Sequence, residues 1–160
     1  RTFLAALPAS LLVGTAARAE REAIRHSFLA AGPETRLIDA DGKVVWQYPK
    51  STRDGWLLPN GNFLLTLSGK PGSVVEVTRD QKVVWQYQGT QDEMDTAQRL
   101  PNGNTLVSEA GQNPRLLEVD RSGKVVHELP LTSQRNNTHM QQRMSRRLAG
   151  GNYLVPVSYT

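Results

Sequence analysis

The hexapeptide KVVWQY occurs twice, at residues 43–48 and 82–87, and the related KVVHEL follows at residues 124–129. A second cassette, LPNGN or its variant LAGGN, also occurs three times, at residues 58–62, 100–104 and 148–152. Both cassettes return at intervals of about 40 residues, the hallmark of a chain built from structural repeats. This periodicity constrains the fold more than any other feature of the sequence.

Each cassette favours β-structure. Val-Val-Trp suits the pleated, half-buried surface of a strand, and Asn-Gly before an apolar run is a tight-turn signal. We therefore predict that Gly61 and Gly103 shape turns. Trp46 and Trp85, which recur in the hexapeptide, are predicted to be structural wedges between neighbouring sheets, because a buried aromatic ring of this size removes about 150–250 Å² from water.

About four short strands in about 40 residues is the period of a β-propeller blade. We predict an all-β chain that forms a partial β-propeller of four-stranded antiparallel blades over residues 20–160. The predicted blade segments, about three blades in all, are residues 26–48, 52–87, 96–129 and 138–160. Because closed propellers typically have about four to eight blades, the sequence is expected to be a fragment.

Residues 1–19 differ in composition from the repeats. They begin with Arg1, continue with a short apolar run, and end in the small residues of Ala17-Arg18-Ala19. This pattern is typical of a secretory signal peptide, and the alternative is an N-terminal helix. We predict a secreted or periplasmic protein with no membrane span after signal cleavage.

Composition narrows the chemistry. The absence of cysteine excludes thiolate chemistry and disulfides within these residues. The net charge of +4 is mild, and basic residues form no stripe interleaved with aromatics, so nucleic acid is not a predicted partner. The acidic pair Asp39 and Asp41 lies in a turn too short for a calcium loop, so no metal site is predicted.

The segments DADGKVVWQY, DGWLLPNGN and AQRLPNGNTLVSEAG resemble secreted bacterial β-propeller proteins of the PQQ-like and arylsulfotransferase-like repeat class. The resemblance covers about residues 26–160. It implies that relatives hold pyrroloquinoline quinone with calcium, or use a histidine that accepts a sulfuryl group. PQQ is therefore a cofactor expectation by resemblance alone, and the residues themselves indicate no cofactor.

The residues before each LPNGN cassette are expected to line the central channel, where propellers bind ligands. His139 and Arg143 are the candidate catalytic residues, because histidine transfers protons or acts as a nucleophile and arginine clamps oxyanions. Arg146 and Arg147 extend the same basic segment. The candidate ligand-binding residues are Arg53, Asp54, Trp56, Asp95, Gln98 and Gln142.

These expectations lead to three functional hypotheses. The first is an exported, non-catalytic binding module that takes a small polar or anionic ligand, or a protein partner, at its channel face. The second is an arylsulfotransferase-like or PQQ-dependent enzyme with His139 and Arg143 in the funnel. The third is an assembly scaffold, since unpaired blade edges recruit partners.

Overall fold

The computed structural model describes residues 25–134 and 136–157. Across these residues the chain forms β-strands and one short 3₁₀ turn at Thr138–Met140, which confirms the all-β prediction. The predicted signal peptide, residues 1–19, lies outside the described residues. None of the described segments is a helix long and apolar enough to cross a bilayer.

The strands form four antiparallel sheets, each following chain order. The first sheet contains β1 (Phe28–Ala30), β2 (Thr35–Ile38) and β3 (Val44–Tyr48). The second contains β4 (Thr52–Leu57), β5 (Phe63–Leu67), β6 (Ser73–Val77) and β7 (Val83–Gln88). The third contains β8 (Glu93–Arg99), β9 (Thr105–Ala110), β10 (Arg115–Val119) and β11 (Val125–Pro130). The fourth contains β12 (Arg146–Arg147) and β13 (Tyr153–Leu154).

The LPNGN cassettes form the turns between the first two strands of a sheet. Gly61 and Gly103 adopt φ values of 84° and 88°, a left-handed conformation that glycine enters without steric cost. The Oδ1 atom of Asn60 accepts a hydrogen bond from the amide of Asn62 at 3.1 Å. Local side-chain chemistry therefore sets where β4 and β8 end.

Trp46 and Trp85 occupy equivalent positions at two successive seams between sheets. They are 8% and 7% exposed. Trp46 Nε1 donates to the carbonyl oxygen of Arg79 in the second sheet at 2.9 Å. Trp85 Nε1 donates to that of Asp120 in the third sheet at 3.2 Å. Each ring thus joins its own sheet to the following one.

The residue paired with each of these tryptophans on the neighbouring strand differs between seams. Leu37 pairs with Trp46, whereas Glu76 pairs with Trp85. Glu76 is 1% exposed, and its Oε2 lies 2.8 Å from Arg99 Nη2 and 2.7 Å from Arg121 Nη1. An apolar seam between the first two sheets is therefore followed by a charged seam.

The seam between the third and fourth sheets also contains an ion pair. Glu118 stands at the repeat position of Glu76, and its Oε1 lies 3.0 Å from Arg147 Nη1. Tyr153 donates its hydroxyl to the same oxygen at 2.8 Å. These pairs join the third sheet to the fourth, as those of Glu76 join the second to the third.

Candidate functional site

The first strands of the second, third and fourth sheets converge. Arg146 on β12 approaches Asp54 on β4, with Nη1 3.1 Å from Oδ2. The same guanidinium donates to the hydroxyl of Thr96 on β8. Because one side chain reaches residues from three sheets, β4, β8 and β12 lie around a common axis. We call them the inner strands.

Four side chains meet where β4 and β8 begin. Arg53 Nη1 lies 2.9 Å from Glu93 Oε2 and 3.0 Å from Asp95 Oδ1. His139 Nδ1 lies 3.0 Å from the same Nη1 and 3.2 Å from Glu93 Oε2. In the tautomer protonated on Nε2, Nδ1 accepts from Arg53; a proton on Nδ1 would be donated to Glu93. Together with the adjacent Arg143, these residues form what we call the mouth cluster.

The segment that carries His139 is fixed by short-range and cross-sheet hydrogen bonds. Asn137 caps the 3₁₀ turn, and its Oδ1 accepts from the amide of His139 at 3.0 Å. Gln141 bonds both the amide and the carbonyl of Gly111, at 2.9 and 3.0 Å. Gln142 Nε2 donates to the carbonyl of Glu109 at 2.6 Å. The third sheet therefore positions His139 over the start of β8.

Asp95 is the most buried member of the mouth cluster, with a side chain only 1% exposed. Burial raises its pKa to about 6, against the lowering effect of the Arg53 charge. Its Oδ1 faces Arg53, but its Oδ2 is buried without a hydrogen-bond partner among the described residues. A buried carboxylate oxygen of this kind is unfavourable unless a donor reaches it.

Arg143 stands at the repeat position of Asp95 and Arg53, five residues before the leucine of its cassette, and its charge acts on the Asp95 carboxyl. Its backbone amide donates to the carbonyl of Pro156 at 2.8 Å, and its side chain is half-buried. Its positive charge lowers the pKa of Asp95, although burial and Arg53 have larger effects. Across residues 25–134 and 136–157, the guanidinium of Arg143 has no carboxylate within 4.0 Å.

The predicted residues Asp54 and Trp56 lie further along β4 and form a second group. Arg146 pairs with Asp54, and its guanidinium also stacks 4.8 Å from the ring centroid of Trp56. Trp56 Nε1 donates to the carbonyl of Ala97 at 2.7 Å. These contacts satisfy the group internally, so its polar atoms hold the inner strands together.

Gln98 and Gln142 contact backbone rather than the mouth cluster. The amide of Arg147 donates to Gln98 Oε1 at 2.8 Å, which ties the fourth sheet to β8. Gln98 also contributes to an open cleft of about 330 Å³ at the far end of the inner strands. The other residues of that cleft are Trp56, Leu57, Leu58, Pro59, Arg99, Leu100 and Pro101.

The structure thus brings together Arg53, Asp95 and His139 and adds a residue that the sequence analysis missed. That residue is Glu93, which was not among the candidates; β8 starts at Glu93, three residues before the predicted start of this blade at residue 96. The polar segment DEMDT does not have the apolar pattern of a typical strand. Most of it nevertheless lies in β8, and its acidic side chains Glu93 and Asp95 are buried against Arg53. Alternation of Glu93 and Asp95, two residues apart on one strand, was the available signal.

The described residues do not offer a conventional cation site. No three His, Asp or Glu side chains among them are grouped to hold a metal ion. In the mouth cluster, Arg53 already occupies the space between the two carboxylates. This arrangement does not fit the calcium that accompanies PQQ in quinoproteins.

Comparison with solved structures identifies the type of fold. The chain is similar to the WD40 β-propeller domain of Doa1, with a TM-score of 0.66, 16% identity, and coverage of 84% of this chain and 44% of that one. The fold is that of a β-propeller. A protein of unknown function from Bacteroides caccae gives a TM-score of 0.71 and 28% identity, covering 84% of this chain and 51% of that one.

The chain therefore spans about half the length of these two solved structures. No protein-family model and no curated protein matches its sequence. The repeats thus determine the fold, whereas the chemistry depends on the side chains of the inner strands.

Proposed function

We propose that this protein is an exported binding module that takes a small polar ligand at the mouth cluster. The observation that carries the proposal is that an acceptor and a cation of the mouth cluster both lack a partner. A buried carboxylate oxygen of Asp95 has no donor among the described residues. Arg143, whose charge lowers the pKa of Asp95, has no ion-pair partner there. Propellers commonly bind ligands where their inner strands open.

The burial of the charged side chains in the mouth cluster favours a small ligand over a broad protein interface. Asp95 is buried, and Arg53 is only 23% exposed at its side chain, so a flat partner surface would not reach them. The leader-like composition of residues 1–19 supports export.

Binding is tested by amide chemical-shift mapping with a set of small carboxylates, amines, amino acids, sugars and nucleosides. We expect at least one compound to shift the amides of Asp95, His139 and Arg143 in a saturable manner. Amides of the outer strands β7 and β11 should stay unchanged, because they lie at the opposite edges of their sheets. Saturable shifts confined to those outer strands, or none with any compound, would contradict the proposal.

The catalytic alternative has one favourable observation. His139 is half-exposed, with a carboxylate of Glu93 3.2 Å from Nδ1, and such a partner orients and activates imidazole. However, no hydrogen bond among the described residues joins His139 to Arg143, which this hypothesis names as the clamp, and Arg53, the guanidinium that His139 does contact, is neutralised by two carboxylates. We expect no sulfuryl transfer from an aryl sulfate donor above the blank. Transfer that is lost in His139→Ala would establish the enzyme instead.

A further inference from the structure

The mouth cluster is balanced in charge. With His139 neutral, it contains two guanidinium groups, from Arg53 and Arg143, and two carboxylates, from Glu93 and Asp95. Arg53 pairs with both carboxylates, at 2.9 and 3.0 Å. The positive charge of Arg143 and one acceptor oxygen of Asp95 remain for a ligand. A ligand with one net charge would unbalance a partly buried site, which low-dielectric surroundings penalise.

We infer that the ligand is a small zwitterion that carries one carboxylate and one ammonium group. Its carboxylate would accept hydrogen bonds from the Arg143 guanidinium, which presents donors in a planar fork. Its ammonium would donate to Oδ2 of Asp95, the buried oxygen that lacks a donor. A simple anion would leave that oxygen unpartnered, and a simple cation would leave Arg143 unpaired. The inference rests on the function proposed above and names its ligand class.

His139 is the most exposed of the four side chains that meet at the start of β4 and β8. Its side chain is 52% exposed, whereas that of Asp95 is 1% exposed. The 3₁₀ turn that carries His139 contains no buried residue, so moving it uncovers no core. A ligand that binds Asp95 and Arg143 can therefore displace the imidazole from Arg53 without uncovering core residues, while Gln141 and Gln142 keep the rest of the segment in place.

The class is tested by isothermal titration calorimetry on the purified protein with glycine, β-alanine and γ-aminobutyrate. Acetate, propionate and propylamine are the singly charged controls. We expect at least one amino acid to bind about tenfold or more tightly than every control. Arg143→Gln and Asp95→Asn should each weaken that binding about tenfold or more, because each removes a charge-assisted hydrogen bond. Arg36→Gln, on the first sheet, should leave it unchanged.

The dependence on pH gives a second readout. The charges of Arg53, Glu93 and Arg143 act on Asp95, whose pKa burial raises to about 6, and His139 contacts Arg53 and Glu93. Protonation of Asp95 removes the charge that attracts the ammonium, so affinity should fall as the pH drops through about 6. The slope should be smaller in Asp95→Asn, which retains His139, and circular dichroism should verify that both variants fold.

Three outcomes would overturn the zwitterion inference. Propionate that binds as tightly as β-alanine, and still depends on Arg143, would show an anion site and leave the binding function standing. Amino-acid binding indifferent to both substitutions would place the ligand elsewhere. Failure of all three amino acids to bind would reject the class, whereas the wider shift-mapping survey decides separately whether the mouth binds any small molecule.

Discussion

Replacing Trp85 by alanine is expected to lower the free energy of unfolding by about 3–5 kcal/mol. The indole is 7% exposed and packs in a cluster with Leu64 and Val74 of its own sheet and Leu117 of the next. Its loss would leave a cavity at the seam between the second and third sheets. It would also leave the carbonyl of Asp120 without its donor at 3.2 Å.

Urea unfolding followed by circular dichroism measures this change. Val84→Ala is the matched control, because it truncates the preceding residue of the same strand, which is 46% exposed. It should alter stability by no more than about 0.5 kcal/mol. If Trp85→Ala unfolded at the same urea concentration as Val84→Ala, the wedge role of the tryptophan would be wrong. Trp46→Ala, at the equivalent position of the preceding seam, should resemble Trp85→Ala.

The repeats made the fold predictable. A hexapeptide rich in valine and aromatic residues, whose last four residues alternate between exposed and buried, predicted β3 and β7. Asn-Gly dipeptides marked the turns with positive φ at Gly61 and Gly103. Local propensity and tertiary packing agree at these positions, which is where reading a sequence succeeds. The period then indicated sheets that must stack to bury both faces.

The mouth cluster was only partly predictable. Position before the LPNGN cassette identified Arg53 and Asp95, because the inner strand of each sheet faces the axis. It did not distinguish them from Asp54 and Trp56, which are satisfied by contacts with Arg146 and Ala97. Pairing between residues about 40 to 90 positions apart depends on how sheets stack, and no local pattern encodes it.

The charged seam was missed for a related reason. Glu76 lies in the apolar run VVEVT, which predicts a strand but does not name its partner. The signal was in the repeat. Where a unit has glutamate, at position 76 or 118, the residue directly before the next cassette is arginine, at position 99 or 147. Where the unit has Leu37 instead, that residue is Leu57. Comparing equivalent positions across units reveals exchange of an apolar pair for an ionic one.

This exchange leads to a second prediction of large effect. Glu76→Leu is expected to cost about 3–5 kcal/mol, because it leaves Arg99 uncompensated with a side chain only 15% exposed. Asn60 and Asn62 would also lose the acceptor that they share, at 3.1 and 2.8 Å. Arg99→Leu should cost less, since Glu76 keeps Arg121 and both amides.

The double variant Glu76→Leu/Arg99→Leu is the decisive comparison. It places leucine at the two positions whose repeat equivalents at the first seam, residues 37 and 57, are leucine. Replacing both partners of a buried ion pair by apolar groups is often neutral, whereas removing one is not. We therefore expect the double variant to be more stable than Glu76→Leu alone in urea unfolding. If it is less stable, Arg99 stabilises the seam even without Glu76, and the two seams are not interchangeable.

The pH dependence of unfolding separates charge from packing at this seam. Burial raises the pKa of Glu76, but hydrogen bonds from Asn62, Arg121 and Asn60 outweigh it and bring the pKa below the ordinary 4.5. A depressed pKa stabilises the fold above the unfolded-state value, and that contribution is lost as the pH falls through the folded-state pKa. From about pH 6 to about pH 3, wild type should therefore lose more stability than the double leucine variant. Parallel curves would mean that Glu76 does not stabilise the seam through its charge.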